Sequence, residues 1–198
     1  MRKLIISLVF IALFGGFGQA FAQEDNLLGL YFDPFGDMDC IEAASLAPFT
    51  SVDLYVILKN PTFEELWGFE FAMDIEGPAL VTGWDYPNGF PGFNFGEGGE
   101  YIVGLSNHMP MEEINILVTF NIFYMSTASE EICFILGPTE PSSLDPLYPT
   151  FAYSGSDLVS ASVNNGIDGA CTALISETSC NVVPTDTQTW DSLKSLYR

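Results

Sequence analysis

Positive charge is what this chain has least of. Its 198 residues carry five Lys and Arg and one His against 26 Asp and Glu, a formal net charge of −21. That shortage excludes a nucleic-acid partner, because neutralising a phosphate backbone takes clustered Lys or Arg. Anionic membranes and phosphorylated substrates are poor partners for the same reason, and no Gly-rich phosphate loop is present. His108 is the only base of its kind. The stretch Gly104-Leu105-Ser106-Asn107-His108 lacks the closing Gly of a G-x-S-x-G nucleophile elbow, so His108 reads as a loop residue. No C-x2-C spacing exists, which argues against a zinc site.

What is present is apolar. Hydrophobic residues make up 48% and aromatics 14%, enough for a packed core and too many for an acidic disordered tail. The length fits one domain. Arg2 and Lys3 precede an apolar run at residues 4–14, and Ala20-Phe21-Ala22 follows. That order predicts a secretory signal peptide over residues 1–22. The run is too short for a transmembrane helix, which takes roughly 20 apolar residues, and no Cys near the cut suggests a lipid anchor. Cleavage after Ala22 leaves 176 residues with Lys59, Lys194 and Arg198 as the only permanent cations, a net charge of −23. Self-repulsion at that charge favours a monomer.

Four cysteines in an exported chain read as two disulfides. The short spacing of Cys171 and Cys180 favours a local bridge between them, leaving Cys40 to pair with Cys133. The rival places Cys40 with Cys180 and leaves Cys133 buried or paired with Cys171.

Alternation dominates the mature chain. Trp67, Phe69, Phe71, Met73 and Ile75 fall on one face of a predicted strand, with Gly68, Glu70, Ala72 and Asp74 on the other. Ile114, Ile116, Val118, Phe120, Ile122 and Tyr124 repeat the pattern, with Leu117 and Phe123 out of phase. Shorter strands are predicted at 27–32, 52–58, 101–105, 132–136, 150–153 and 158–163. Pro, Gly, Asn and Asp clusters separate them. Eight or so short strands without an intervening helical stripe predict an all-β antiparallel sandwich or barrel over residues 23–183. Residues 184–198 form a tail. There Thr189 caps a predicted short helix with Trp190, Leu193, Leu196 and Tyr197 on one side and Lys194 and Arg198 near its end.

Two segments carry candidate ligand chemistry. Asp33, Asp37 and Asp39 lie close together in a turn-rich stretch and are the candidate calcium ligands; no other cofactor is expected. Residues 84–100 read as a long loop. Trp84, Asp85, Tyr86, Asn88 and Phe93 there offer rings for a sugar face and polar groups for its hydroxyls. The alternative is that these rings fold back and cap the sandwich.

Ala72-Met73-Asp74-Ile75-Glu76 resembles the E-x-D-x-E signature of laminarinase-like hydrolases, but Ala72 stands where that family has its nucleophile. No enzyme is expected. The order VDLYVILKNP, WGFEFAMDI, INILVTFNIFY, LVSASVNNG resembles the cohesin and carbohydrate-binding-module type of bacterial sandwich. The resemblance covers residues 52–163. It implies a jelly-roll-like β-sandwich of eight or nine strands, secreted or held at a bacterial surface, that docks another extracellular protein or a polysaccharide. The ending PTDTQTWDSLKSLYR resembles a C-terminal signature of uncharacterised secreted bacterial proteins, which implies a sorting or docking tag, or else a helix packed on the sandwich. The leading expectation is a non-catalytic binding or scaffolding module. A carbohydrate-binding module using the 84–100 loop, or a structural part of a surface layer or filament, are its alternatives.

Overall fold

A computed structural model describes residues 24–126, 130–155, 157–165, 170–178 and 180. The predicted signal peptide and the tail with Trp190, Leu193, Lys194, Tyr197 and Arg198 lie outside the described residues. Thirteen strands are present among the described residues: β1 (Leu27–Tyr31), β2 (Cys40–Glu42), β3 (Thr50–Lys59), β4 (Glu65–Glu76), β5 (Ala79–Asp85), β6 (Gly92–Asn94), β7 (Glu100–Pro110), β8 (Ile114–Tyr124), β9 (Ile132–Gly137), β10 (Thr150–Tyr153), β11 (Asp157–Ser160), β12 (Ser162–Val163) and β13 (Ala173–Ser176). A single 3-10 turn spans Ala43–Ser45. No helix among the described residues is long and apolar enough to cross a membrane.

The strands form two sheets packed as a sandwich. One has five strands in the order β12-β1-β3-β8-β5. The other has eight, in the order β11-β10-β4-β9-β13-β2, with β7 on β4 and β6 on β7. The long strand β4 organises the second sheet. It pairs with β7 from Glu65 to Ala72, with β10 from Gly68 to Glu70 and with β9 from Ala72 to Glu76. Most pairs are antiparallel, as expected, but β1–β12 and β13–β2 run parallel.

The core follows from alternation. Leu54, Val56, Phe71, Val118, Phe120, Ile122, Phe134 and Phe151 are fully buried between the sheets. Phe71 stacks on Tyr101 at 5.1 Å, and Phe120 meets Tyr101 edge-on at 4.8 Å. Each such ring contributes about 1.5–3 kcal/mol by leaving water.

Three departures from strict period two are β-bulges or register shifts. The pairing of β3 with β8 shifts between Val56 and Ile57, which makes Leu117 the extra residue. Beyond it the phase inverts: Asn115 is buried and Ile114 exposed, opposite to the sequence expectation. Asn115 repays its burial with hydrogen bonds. Its Nδ2 donates to Glu112 O at 2.7 Å and its Oδ1 accepts from Glu112 N at 2.8 Å. The pairing of β4 with β7 shifts between Leu66 and Gly68. Leu66, not Trp67, therefore enters the core, and Trp67 turns outward half-buried. The third shift, between Val81 and Gly83, lies in a segment whose end was read as loop; the structure puts β5 and β6 within residues 79–94.

The disulfides correct the leading pairing. Cys40 bonds to Cys180 and Cys133 to Cys171, with Cα–Cα distances of 5.7 and 5.2 Å. The extended strand β13 lies between Cys171 and Cys180 and holds them apart. Leu174 pairs with Cys40 on one side and Cys133 on the other. Those two are thus two strand spacings apart, about 10 Å, beyond the roughly 7 Å limit for a bridge. Each bond clamps one end of β13 to a different neighbour. Non-reducing peptide mapping is expected to recover the 40–180 and 133–171 pairs. Replacing Cys133 and Cys171 together by Ser is expected to lower stability by about 2–4 kcal/mol in urea unfolding.

Candidate functional site

The outer face of the eight-stranded sheet carries a run of small residues where β11, β10, β4, β7 and β6 lie side by side. Phe69 and Phe71 point inward, so alternation turns Gly68 and Glu70 outward. Their cross-strand partners are Gly104 and Ile102 on β7, and Ala152 and Thr150 on β10. Leu158 of β11 lies opposite Ala152. Small residues at Gly68, Gly104 and Ala152 leave an open groove of about 420 Å³, walled by Trp67, Phe95, Ile102, Ser143 and Leu158. Gly68 is obligatory, because a Cβ there would meet Val103 O at 2.6 Å. Phe95 hangs over Gly104, 74% exposed, and Phe93, two residues earlier, is 65% exposed. Two exposed Phe on one face are costly in water.

One end of the groove is built by a strap, residues 138–149, that crosses outside the sheet between β9 and β10. Glu70 holds it. Its Oε1 accepts from Ser143 N at 2.6 Å and from Ser142 Oγ at 3.2 Å, and its Oε2 accepts from Ser143 Oγ at 2.7 Å. Glu100 Oε1 accepts from Glu140 N at 2.8 Å. Glu70 is only 6% exposed, whereas its place on the polar face predicts a solvated side chain. Thr139 of the strap and Thr150 of β10 are buried as well.

The other wall carries the lone imidazole. Trp67 and His108 stack at 3.8 Å and 10°, with Glu65 Oε2 3.7 Å from His108 Nδ1. Ser106 Oγ donates to Pro91 O at 2.7 Å. His108 is thus a strand residue under an indole, and the Ser106 hydroxyl is committed to a carbonyl. Neither forms a nucleophile–base pair.

The residues of 84–100 are divided between the sheets. Trp84 belongs to β5 of the five-stranded sheet, 45% exposed, and meets Tyr101 edge-on at 5.9 Å. Tyr86 packs on the core and lies against Gly92. Burial pushes the Tyr86 phenol up. Phe93 belongs to β6 of the other sheet. Asp85 and Asn88 are exposed. Trp84, Tyr86 and Phe93 therefore make neither one flat platform nor one buried cap. Phe95, absent from the sequence-based candidates, is the ring that meets the groove. The signal available for it was its place two residues after Phe93, on the same side of an extended segment.

The acidic turn closes on itself. Asp33 Oδ1 accepts from Phe35 N at 2.7 Å, and its Oδ2 accepts from Asp37 N at 3.0 Å and from Met38 N. Asp39 Oδ2 accepts from the side-chain amides of Asn164 and Asn165 at 3.5 and 3.4 Å. Among the described residues, no group of three or more His, Cys, Asp or Glu is arranged to hold a metal ion. Lys59 braces the same turn. Its Nζ donates to Gly36 O at 2.6 Å and sits 4.5 Å above the Tyr31 ring. Burial, then Asp39, Asp33 and Asp37, push the Tyr31 phenol up to about 12.

No protein-family model matches the chain, and no curated protein matches it. Solved cohesin structures are similar to it. A cohesin module of a family 33 glycoside hydrolase from Clostridium perfringens gives a TM-score of 0.47 at 10% identity, covering 70% of this chain and 91% of that one. The sixth cohesin of Acetivibrio cellulolyticus scaffoldin B, solved with a Cel5 dockerin variant, gives 0.49 at 14%, covering 70% and 94%. A non-cellulosomal cohesin from Archaeoglobus fulgidus gives 0.47 at 10%, covering 72% and 86%. The likeness is one of fold.

Glu70→Ala is expected to lower stability by about 2–3 kcal/mol, because it leaves the Ser143 N–H under the strap without its acceptor. Limited proteolysis should then cut within 138–149 first. Tyr31 titrates upward of its unfolded value near 10, so its neutral form stabilises the fold below about pH 10, and that contribution is lost as pH rises through about 12. Urea unfolding should therefore show the wild type losing more stability than Tyr31→Phe across that interval.

Proposed function

We propose that this chain is an exported, non-catalytic docking module that holds another protein against the outer face of its eight-stranded sheet. The observation that carries this reading is the pairing of Phe93 and Phe95, 65% and 74% exposed, with an open groove of small residues beside them. Phe35 and Phe49 are as exposed elsewhere, but Phe93 and Phe95 lie side by side on one sheet face next to an apolar groove, and that contiguity favours a contact surface. The groove is wide and shallow rather than a deep slot, which suits a protein surface better than a small substrate.

The chemistry around it supports binding over turnover. The carboxylate nearest the groove, Glu70, is tied down by three donors from the strap. His108 is stacked, Ser106 is bonded to a carbonyl, and Ala72 sits opposite Glu100 where the hydrolase signature would need an acid. The division of Trp84, Tyr86 and Phe93 between two sheets weighs against a sugar platform. Two disulfides clamping β13 suit an oxidising compartment outside the cytoplasm.

Photo-cross-linking tests the face directly. Benzoylphenylalanine at position 95 in the native host is expected to give protein adducts, whereas the same group at Leu80, exposed on the five-stranded sheet, gives none. The protein so captured should bind the purified domain at least about tenfold more weakly once Phe95→Ser is introduced. Hydrolysis of a glycan panel, or equal adducts from both positions, would contradict the reading.

A further inference from the structure

Where β4 begins and β10 ends, a separate cavity of about 310 Å³ lies between Phe63, Glu64, Glu65, Trp67, Tyr153 and Ser154. Trp67 is the one residue it shares with the groove. Its aromatic walls are braced from behind. Tyr153 stacks on Phe63 at 5.3 Å and 17°, and Phe63 meets Phe151 at 6.1 Å. Exposure rises along that row, from Phe151 at 0% through Phe63 at 7% to half-buried Tyr153. Trp67 is backed by the stacked His108. Rings already held in place lose little further freedom when a ligand settles against them.

Charge and hydrogen-bonding chemistry narrow what the cavity takes. Glu64 and Glu65 are exposed carboxylates, which only accept when ionised. Lys59, the one Lys or Arg among the described residues, has its ammonium on Gly36 O and the Tyr31 ring instead. An anionic ligand would meet two like charges. A neutral polar ligand would need donors as well as acceptors. An alkylammonium group suits both sets of walls: its carbons lie on ring faces, and its charge is drawn by the ring quadrupoles and the two carboxylates. We infer that this cavity binds an alkylammonium group, borne either by a free quaternary amine or by a lysine side chain. The inference does not rest on the docking reading above.

Proton–nitrogen NMR of the isotope-labelled mature chain tests this through the Trp67 indole N–H, whose signal is assigned by its loss in Trp67→Phe. The probes are choline, a lysine capped at both ends, and the neutral alcohol in which a quaternary carbon replaces the nitrogen of choline. In about 150 mM NaCl, at least one of the two cations is expected to move the indole signal with at least about tenfold tighter binding than the neutral alcohol. Tighter binding of choline assigns the site to a free quaternary amine, and tighter binding of capped lysine assigns it to a protein side chain; either result supports the inference. Glu64→Gln combined with Glu65→Gln should weaken the cation at least about threefold, and so should Tyr153→Leu. Tyr153 also packs on the core, so the Gln pair decides where Tyr153→Leu does not fold. Binding of the neutral alcohol as tight as that of the cations overturns the inference, as does silence of both cations at about 50 mM. Binding indifferent to the Gln pair also overturns it, since the cation is then held elsewhere on the acidic surface. Phe95→Ser should leave cation binding unchanged; its loss in that variant would move the cation to the groove and overturn the inference, while the cross-linking result decides the docking reading by itself.

Discussion

A carboxylate in this protein cannot count on a cation. With Lys59 alone among the described residues to serve the acids around it, negative charge has to be held by neutral donors or left in water. The structure uses both solutions. Asp33 collects three backbone N–H groups of its own turn, Asp39 takes two asparagine amides, and Glu70 takes one N–H and two hydroxyls from the strap. Glu100 takes the Glu140 N–H and Asp145 the Leu147 N–H, and most of the other described carboxylates are exposed. Charge-assisted hydrogen bonds of this kind are stronger than neutral ones and fix geometry. The shape of the proposed docking face depends on one of them, because Glu70 holds residues 138–149 and so sets where the groove ends.

The same scarcity explains how the single cation is used. Lys59 sits at the end of β3, reaches Gly36 O and covers Tyr31, whose ring in turn lies over Gly29. It closes the acidic turn rather than contacting any carboxylate of the described residues within ion-pair distance. An acidic surface left largely unneutralised opposes the close approach of like-charged copies of the chain.

Much of the fold was legible because alternation reports burial. Val118, Phe120, Ile122 and Tyr124 lie where period two puts them. The residues assigned to the wrong face lie where an extra residue breaks that period. Leu117 bulges, so Asn115 enters and Ile114 leaves; the shift at Leu66 exchanges Trp67 for its neighbour. A bulge is set by the partner strand, which local pattern does not contain. The disulfides were open for a similar reason, since short spacing between Cys171 and Cys180 says nothing of the strand that stretches between them. The site was less legible than the fold. An aromatic-rich 84–100 segment was visible, but its rings are divided by the sheets to which β5 and β6 belong. Glu70 read as solvated because the strap that covers it comes 70 residues later in the chain.

The central claim is that contact is made on the outer face of the eight-stranded sheet, beside Phe95 and the Glu70-held strap. Amide chemical-shift mapping of the isotope-labelled domain, titrated with the protein captured by cross-linking at position 95, tests it most directly. Shifts are expected in β4, β6, β7, β10 and β11 and in residues 138–149. Shifts centred instead on the outer face of β3 and β8, or on the acidic turn at residues 33–39, would contradict it.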